Sequence, residues 1–399
     1  MDQKKARSLY KSSVRIVKEN QHKKGGFYAS PPGTRYPYVY ARDHSIDVLG
    51  AISAGMLKQA KRGLKFMFDA QKPSGEFAQR YDVDGTDRSY KELQIDGNGL
   101  ILFALGKYIE ASGDSDFAKE YWDVIKKGAN FILQKKNDEV GLIHTINSIH
   151  EYPAYEHGFE IYANAACCGG LKKVADISKV ISKKMPEVEK AAKEVAAGIN
   201  NALWSEKRQS FLKNIRIKDK DSQPLGYDPY SSVVADVDAV LYSPAYFEVV
   251  PEDDHKVTRS VRRIHDELWD PELRGLNRYP EYWGRNNGGY GPWCHFTAML
   301  ARHYIHLGKR YMADTYLGWV VDVAYKNMLP EHISTVERFE LWLEEYSNAK
   351  ILREDKMVMI EGIKKLAPWK EGLAYVVLPL IWPHAEYIMA YNEYKRKFL

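Results

Sequence analysis

The segment Tyr36-Pro37-Tyr38-Val39-Tyr40-Ala41-Arg42-Asp43 sets three tyrosines at alternate positions and ends in an adjacent arginine and aspartate. Alternation places Tyr36, Tyr38 and Tyr40 on one side of an extended strand, and Pro37 keeps Tyr36 out of helical geometry. Aromatic faces cover the C–H faces of a sugar ring, while an arginine and a carboxylate donate to and accept from neighbouring hydroxyls. The plainer reading of the same residues is a tyrosine-rich loop with a solvated ion pair. Helical periodicity begins at His44, and Asp43 is placed to cap it.

Four further loops carry similar chemistry. Residues 73–95 run through Tyr90 into Gln94-Ile95-Asp96-Gly97, where Asp96 can cap the next helix. Residues 138–158 and the start of the following helix place Glu151, Glu156 and Glu160 among aromatic residues. Burial against such faces raises a carboxyl pKa, as a general acid requires. Residues 270–292 contain Arg278-Tyr279-Pro280-Glu281, a glycine-rich turn and Trp293 just beyond it. Arg278 and Glu281 offer paired recognition of hydroxyls. Met328-Leu329-Pro330-Glu331-His332 sets Glu331 at the end of a helix, free to face a cleft.

Other classes lose support. His150-Glu151 matches the start of a zinc-protease HExxH, but residue 154 is alanine, and the histidines at 144, 150 and 157 do not share a helix face, so no metal site is expected. No GxGxxG, Walker A or GxSxG sequence occurs, and no cofactor is expected. The net charge of +5, from 58 basic and 53 acidic residues, is too balanced to argue for nucleic acid. Three cysteines, two of them adjacent, form no disulfide framework and point to a reducing compartment. The charged N-terminal stretch lacks the apolar core of a signal peptide, and the longest apolar run, 373–383, is too short to span a membrane. A soluble cytoplasmic protein without membrane partners is expected. Aromatic residues make up 13%, with 28 Tyr, an excess that suits a carbohydrate site.

The elements that must position these loops are helices. Beyond a first helix near 2–23, 3.6-residue periodicity appears at about 44–57, 58–72, 96–112, 115–137, 159–181, 185–206, 230–241, 254–269, 293–307, 310–328 and 380–396. A short β-hairpin is expected near 207–218. No βαβ alternation and no flexible linker interrupt the series. The economical arrangement is one all-α domain over residues 1–399, with six inner helices ringed by six outer ones. An (α/α)6 toroid of this kind brings the long loops to one mouth; an α-solenoid would show similar helices.

In their order along the chain, these segments resemble glycoside hydrolase family 15, the glucoamylase family. Tyr36 with Arg42-Asp43 resembles its YxxxWxRD-like segment, and Gln94-Ile95-Asp96-Gly97 its QxDG segment. Arg278-Tyr279-Pro280-Glu281 resembles RYPE, and Gly291-Pro292-Trp293 the GxPW-like entry to a helix. The stretch 379–387 resembles PLxWxHAE. Tyr40 and Tyr90 stand where the family has tryptophan, and the β-sandwich that often precedes the family's toroid is not expected here. The resemblance implies an (α/α)6 catalytic domain that releases glucose from α-linked oligo- or polysaccharide with inversion. It implies substrate contacts at Tyr36, Tyr40, Arg42, Asp43, Tyr90, Arg278, Glu281 and Trp293, and a general base at Glu331. For the general acid it favours Glu151, with Glu160 and then Glu156 as alternatives. A non-catalytic glucan-binding module or a glycoside phosphorylase on a related toroid is the competing expectation.

Overall fold

Two kinds of helix alternate along the chain, and burial separates them. The computed structural model describes residues 1–91, 93–149, 157–215, 233–234, 237–280, 291–345, 358–360 and 372–399. Helix α1 (Gln3–Glu19) buries Ala6, Leu9, Ile16 and Val17 along one stripe and leaves its lysines and arginines to solvent. Strand β1 (Val39–Tyr40) leads into α2 (Ala41–Ser53), whose first ten residues are buried around its circumference save Asp43. Amphipathic α3 (Leu57–Asp69) and strand β2 (Arg80–Tyr81) precede α4 (Ile95–Ser112), buried from Ile95 to Gly106. Helices α5 (Ser115–Glu120) and α6 (Trp122–Leu133) are followed by β3 (Phe159–Glu160) and α7 (Ile161–Val180), buried through Leu171.

The second half repeats the alternation. Helix α8 (Pro186–Asn201) is followed by strands β4 (Trp204–Ser205), β5 (Ser210–Phe211), β6 (Asn214–Ile215) and β7 (Val233–Val234). A 3₁₀ turn at Ala239–Tyr242 runs into the one-turn α9 (Ser243–Tyr246). Then come α10 (His255–Leu268), α11 (Cys294–His306) and α12 (Arg310–Val323). Strand β8 (His332–Thr335), α13 (Val336–Glu345), β9 (Val358–Ile360) and β10 (Leu373–Val376) lead to α14 (Ile381–Phe398).

The mostly buried elements form a closed inner ring: α2, α4, α7, the Ala239–Tyr246 turn, α11 and α14, with α14 packing back on α2. The amphipathic helices α1, α3, α5 with α6, α8, α10 and α12 surround it, which is the (α/α)6 toroid. Small residues let inner helices touch: a Cβ on Gly99 of α4 would lie 2.4 Å from the Cys167 amide nitrogen of α7. Short antiparallel pairs gather at one end. Tyr40 lies opposite Arg80 and Glu160 opposite Asn214, while β10 lies between β8 and β9.

Several elements differ from expectation. The fourth inner element is the short turn at 239–246 rather than a helix ending at 241; residues 230–232 and 235–236 of the expected helix lie outside the described residues. Its start is fixed by a buried ion pair, with Lys213 Nζ 3.0 Å from the Asp238 carboxylate that also caps the turn. The pattern at 115–137 breaks at Tyr121 into α5 and α6. The first helix stops at Glu19. The hairpin lies slightly earlier, at β4–β5, and the segment after Glu331, where no element is expected before 380, holds β8, α13, β9 and β10.

One hydrogen-bond pattern recurs at the fourth residue of five inner helices. Each of these side chains accepts from the backbone N–H of the loop arriving from the preceding outer helix. In α2, His44 Nδ1 accepts from Phe27 at 3.0 Å, and its other nitrogen meets the Gly63 carbonyl at 3.1 Å. In α4, Asn98 accepts from Phe77 at 3.0 Å and donates to the Gly75 carbonyl. In α7, Asn164 accepts from Ile143 at 2.7 Å and donates to the carbonyls of Ile143 and Glu160. In α11, Thr297 accepts from Leu276 at 3.2 Å. In α14, His384 Nε2 accepts from Leu329 at 3.0 Å while Nδ1 meets Ser13 Oγ at 2.8 Å. Burial pushes His44 down to about 4 and His384 to about 3, so both imidazoles stay neutral acceptors. Asn164→Ala strips both Ile143 groups of their partner in a buried site. It is expected to lower unfolding free energy by about 2–4 kcal/mol in urea titration, at the scale of two or three lost buried hydrogen bonds.

Candidate functional site

The inner helices begin at the same end of the ring, so their N-termini converge on one mouth. Their second residues are Arg42, Asp96, Tyr162, His295 and Trp382, all buried. Arg42 Nε donates to Asp96 Oδ2 at 2.7 Å, and Nη2 donates to Gln94 Oε1 at 3.1 Å. The guanidinium therefore spans the starts of α2 and α4. The His295 ring stacks on Trp382 with centres 4.5 Å apart. Burial, then the nearby Arg278 and His332, push His295 well below the ordinary range, leaving it neutral.

Arg42 and Asp43 do not act as a pair of equals. Helix α2 starts at Ala41 with Tyr40 as its N-cap, so Asp43 sits half-buried in the first turn and does not cap it. Asp96 likewise is no cap: it lies one residue inside α4 and takes the Arg42 charge. The Tyr36 and Tyr40 rings meet edge to face, 5.9 Å apart, at the entrance to α2. Tyr90 lies at the rim, 55% exposed.

A second group closes the other side. Arg278, nearly buried, lies 5.2 Å from the Trp293 ring centre and donates from Nη2 to the Ile149 carbonyl at 2.6 Å. Trp293 stacks on His332 at 4.8 Å. Glu331 is half-buried; its N–H donates to the Val376 carbonyl at 3.0 Å, and its carbonyl accepts from the Cys294 N–H. It is thus fixed between the start of α11 and the strand before α14. The segment 147–149 joins the groups, because Gln94 Nε2 donates to the Ser148 carbonyl at 3.4 Å one residue before Ile149 meets Arg278. Of the residues expected from sequence, Tyr36, Tyr40, Arg42, Arg278, Trp293 and Glu331 are tied into this continuous rim. Glu151, Glu156 and Glu281 lie outside the described residues. Glu160 is the N-cap of α7: its carboxylate accepts from the amides of Tyr162 and Ala163 and from Ser148 Oγ, at 2.8–2.9 Å.

Sequence reasoning passed over Tyr162, His295 and Asp47, which share a feature with Asp96 and Arg278 here. Among the described residues, Asp96 Oδ1, Tyr162 Oη, Arg278 Nε and His295 Nδ1 have no hydrogen-bond partner, nor has either carboxylate oxygen of Asp47, one turn beyond Asp43. Burial, then the charges of Asp43 and Glu386, push Asp47 well above the usual carboxylate range. Aligning the helix starts on their second residue would have found Tyr162 and His295; Asp47 lies within an unremarkable helical stripe.

Beneath the mouth a charged chain runs down the ring. Trp382 Nε1 donates to Glu386 at 3.2 Å, Tyr246 Oη donates to the same carboxylate at 2.7 Å, and Arg302 bridges Glu386 and Glu393. His306 lies between Glu393 and Glu252, at 3.3 and 3.0 Å, and Glu252 also accepts from His303 and Tyr242. Hydrogen bonds to Glu252 and Glu393 outweigh burial and hold His306 at about 9. Burial pushes Glu252 up, but its three donors overcome this and hold it at about 2.

Three comparisons bear on this arrangement. No family model matches the chain. It is 26% identical over 332 residues to an uncharacterized glycosyl hydrolase of Methanocaldococcus jannaschii, a match covering 78% of this chain and 49% of that protein. The chain thus spans about half the length of that relative. A glycosidase variant solved in complex with glucose superposes with a TM-score of 0.75 at 18% identity over 99% of both chains. A bacterial glucoamylase complexed with acarbose gives 0.67 at 18% identity, covering 98% of this chain and 58% of that one. A glucoamylase from Saccharomycopsis fibuligera gives 0.64 at 14% identity, covering 98% and 95%. The fold is that of glycosidases, glucoamylases among them, and the chain is glycosyl hydrolase-like. No helix among the described residues is long and apolar enough to cross a membrane.

The His306 cluster sets a pH dependence. A histidine raised from 6.5 to about 9 stabilises the fold fully below pH 6.5, and the contribution is lost as pH rises through 9. The depressed Glu252 acts in the opposite direction: its contribution is present above pH 4.5 and lost as pH falls towards 2. The thermal midpoint of the wild type should fall between pH 6.5 and 9, and His306→Asn should flatten that fall. Differential scanning calorimetry across this window checks it.

Proposed function

We propose that the chain is an exo-acting, inverting α-glucoside hydrolase of the glucoamylase type, a member of glycoside hydrolase family 15, releasing glucose from α-linked oligo- or polysaccharide. The observation that carries the reading is the set of buried, partnerless polar atoms at the mouth, within reach of tryptophan, tyrosine and histidine rings. Buried polar groups are normally satisfied, so a ring of unsatisfied donors and acceptors beside aromatic faces fits a ligand rich in hydroxyls. A single terminal glucose matches that demand better than an apolar or a uniformly charged ligand. Similarity to glycosidases, one of them holding glucose, supports the same reading.

In this mechanism Arg42, held by Asp96 and Gln94, and Arg278, held against Trp293, orient the terminal sugar with Asp43, Tyr36, Tyr40 and Glu281. Glu331 is the general base. It deprotonates a water on one face of the ring while an acid on the other face protonates the departing oxygen. Inversion requires the two carboxyls to stand roughly 6.5–9.5 Å apart. Glu151 is the proposed acid, on the resemblance alone. The three donors on Glu160 support leaving that residue to its capping role, because two amides and the Ser148 hydroxyl already occupy its carboxylate oxygens. No metal or cofactor enters the chemistry.

Release of glucose from a panel of α-glucosides tests the reading, with proton NMR of the first-formed anomer. The β-anomer is expected from an α-linked substrate. Glu331→Gln and Glu151→Gln are each expected to lower turnover by about 10²–10⁴-fold, the usual scale of a general acid or base, with unchanged circular dichroism. Near-normal turnover in either variant would refute that residue's role. Strict dependence on inorganic phosphate would replace hydrolysis with phosphorolysis.

A further inference from the structure

We propose that Arg80 governs selectivity for the part of the substrate beyond the terminal sugar, as the core of a rigid aromatic platform on the rim; this rests on the exo-hydrolase reading above. Arg80 lies opposite Tyr40 in the β1–β2 pair, and Tyr40 is two residues ahead of Arg42. The strand thus runs from Arg80's level on the rim straight to the guanidinium assigned to the terminal sugar. The Arg80 guanidinium is sandwiched, its carbon 4.4 Å from the Tyr38 ring centre and 4.3 Å from that of Tyr90. It also lies 5.8 Å from the Tyr40 ring, donates from Nη1 to Tyr40 Oη at 3.1 Å, and donates from Nε to the Arg88 carbonyl at 2.7 Å.

The platform is fixed from behind. Gln79 Oε1 accepts from the amides of Tyr90 and Lys91 at 3.2 and 3.3 Å, and the Gln79 carbonyl accepts from the Ala41 N–H at 3.0 Å, where α2 begins. Lys91 Nζ adds a second cation, 5.6 Å from the Tyr90 ring centre. Despite these ties, Tyr90 remains more than half exposed, unusual for so large a ring. A stacked, pre-ordered ring on the exit path costs little entropy when a second sugar lies against it. A planar guanidinium suits the sandwich in a way an ammonium does not. An exo-acting site that holds only the terminal unit leaves the next units to pass over this rim.

The test compares wild type, Arg80→Ala and Arg80→Lys on an aryl α-glucoside, an α-linked glucose disaccharide and the matching trisaccharide, with trisaccharide affinity measured by calorimetry. The aryl glucoside serves as the control for fold and for chemistry. Arg80→Ala is expected to lower kcat/KM for the trisaccharide about tenfold, the scale of one lost stacking or cation–π contact, and to change it less than twofold for the aryl glucoside. Arg80→Lys should resemble Arg80→Ala. An equal fall on all three substrates would make Arg80 a structural support of the mouth, and full activity of Arg80→Lys would make charge alone sufficient; either overturns the platform. If wild type binds the trisaccharide without cleaving it, the hydrolase reading fails while the effect of Arg80→Ala on affinity still decides the platform. If wild type neither binds nor cleaves it, both readings fail.

Discussion

A loop that dives into a ring of helices carries an amide hydrogen into a place with no water, and that hydrogen must find an acceptor. In this toroid the acceptor is supplied one turn inside the next inner helix, by His44, Asn98, Asn164, Thr297 and His384. Each bond sets where a loop ends relative to the helix it feeds. The positions of Arg42, Asp96, Tyr162, His295 and Trp382 follow, because each lies two residues before one of these acceptors. Backbone satisfaction thus comes first and the geometry of the mouth second.

The fourth inner element departs from this plan. The fourth residue of the Ala239–Tyr246 turn is Tyr242, whose hydroxyl donates to Glu252, and the Lys213–Asp238 ion pair holds the start of the turn instead. The same segment ties neighbours together: the Lys213 carbonyl accepts from the Ile161 amide at the start of α7, and the Arg278 carbonyl from the Ala239 amide. A buried ion pair is a costly way to hold a loop, and losing one partner strands the other. Below the mouth, the Glu386–Arg302–Glu393–His306–Glu252 chain fills the ring with compensated charge where apolar side chains would also have packed.

Much of this was legible in the residues. The helices could be read because inner ones are apolar around their circumference and outer ones on a stripe, as in α4 and α10. Arg42, Arg278 and Trp293 stood out as arginine and tryptophan among aromatic loop residues. The partnership of Arg42 was not legible, since Asp43 is adjacent in sequence whereas Asp96 is 54 residues away and reads as a cap. The turn at 239–246 was missed because the apolar residues Val237, Ala239, Val240 and Leu241 fit a helix's spacing as well as a short turn's. Asp47 was hidden because an acid on a helix normally faces water, and the packing of neighbouring helices, α14 with Glu386 among them, encloses it.

Two residues of an α-helix span about 200° of arc, so the second and fourth positions of each inner helix look in nearly opposite directions. Under the proposed function, one side is a vocabulary of recognition, and the other is the grammar that keeps the loops in place. Natural or laboratory variation can rewrite the first while sparing the second. On that reading, binding preferences can be exchanged turn by turn around the ring without renegotiating how the toroid folds.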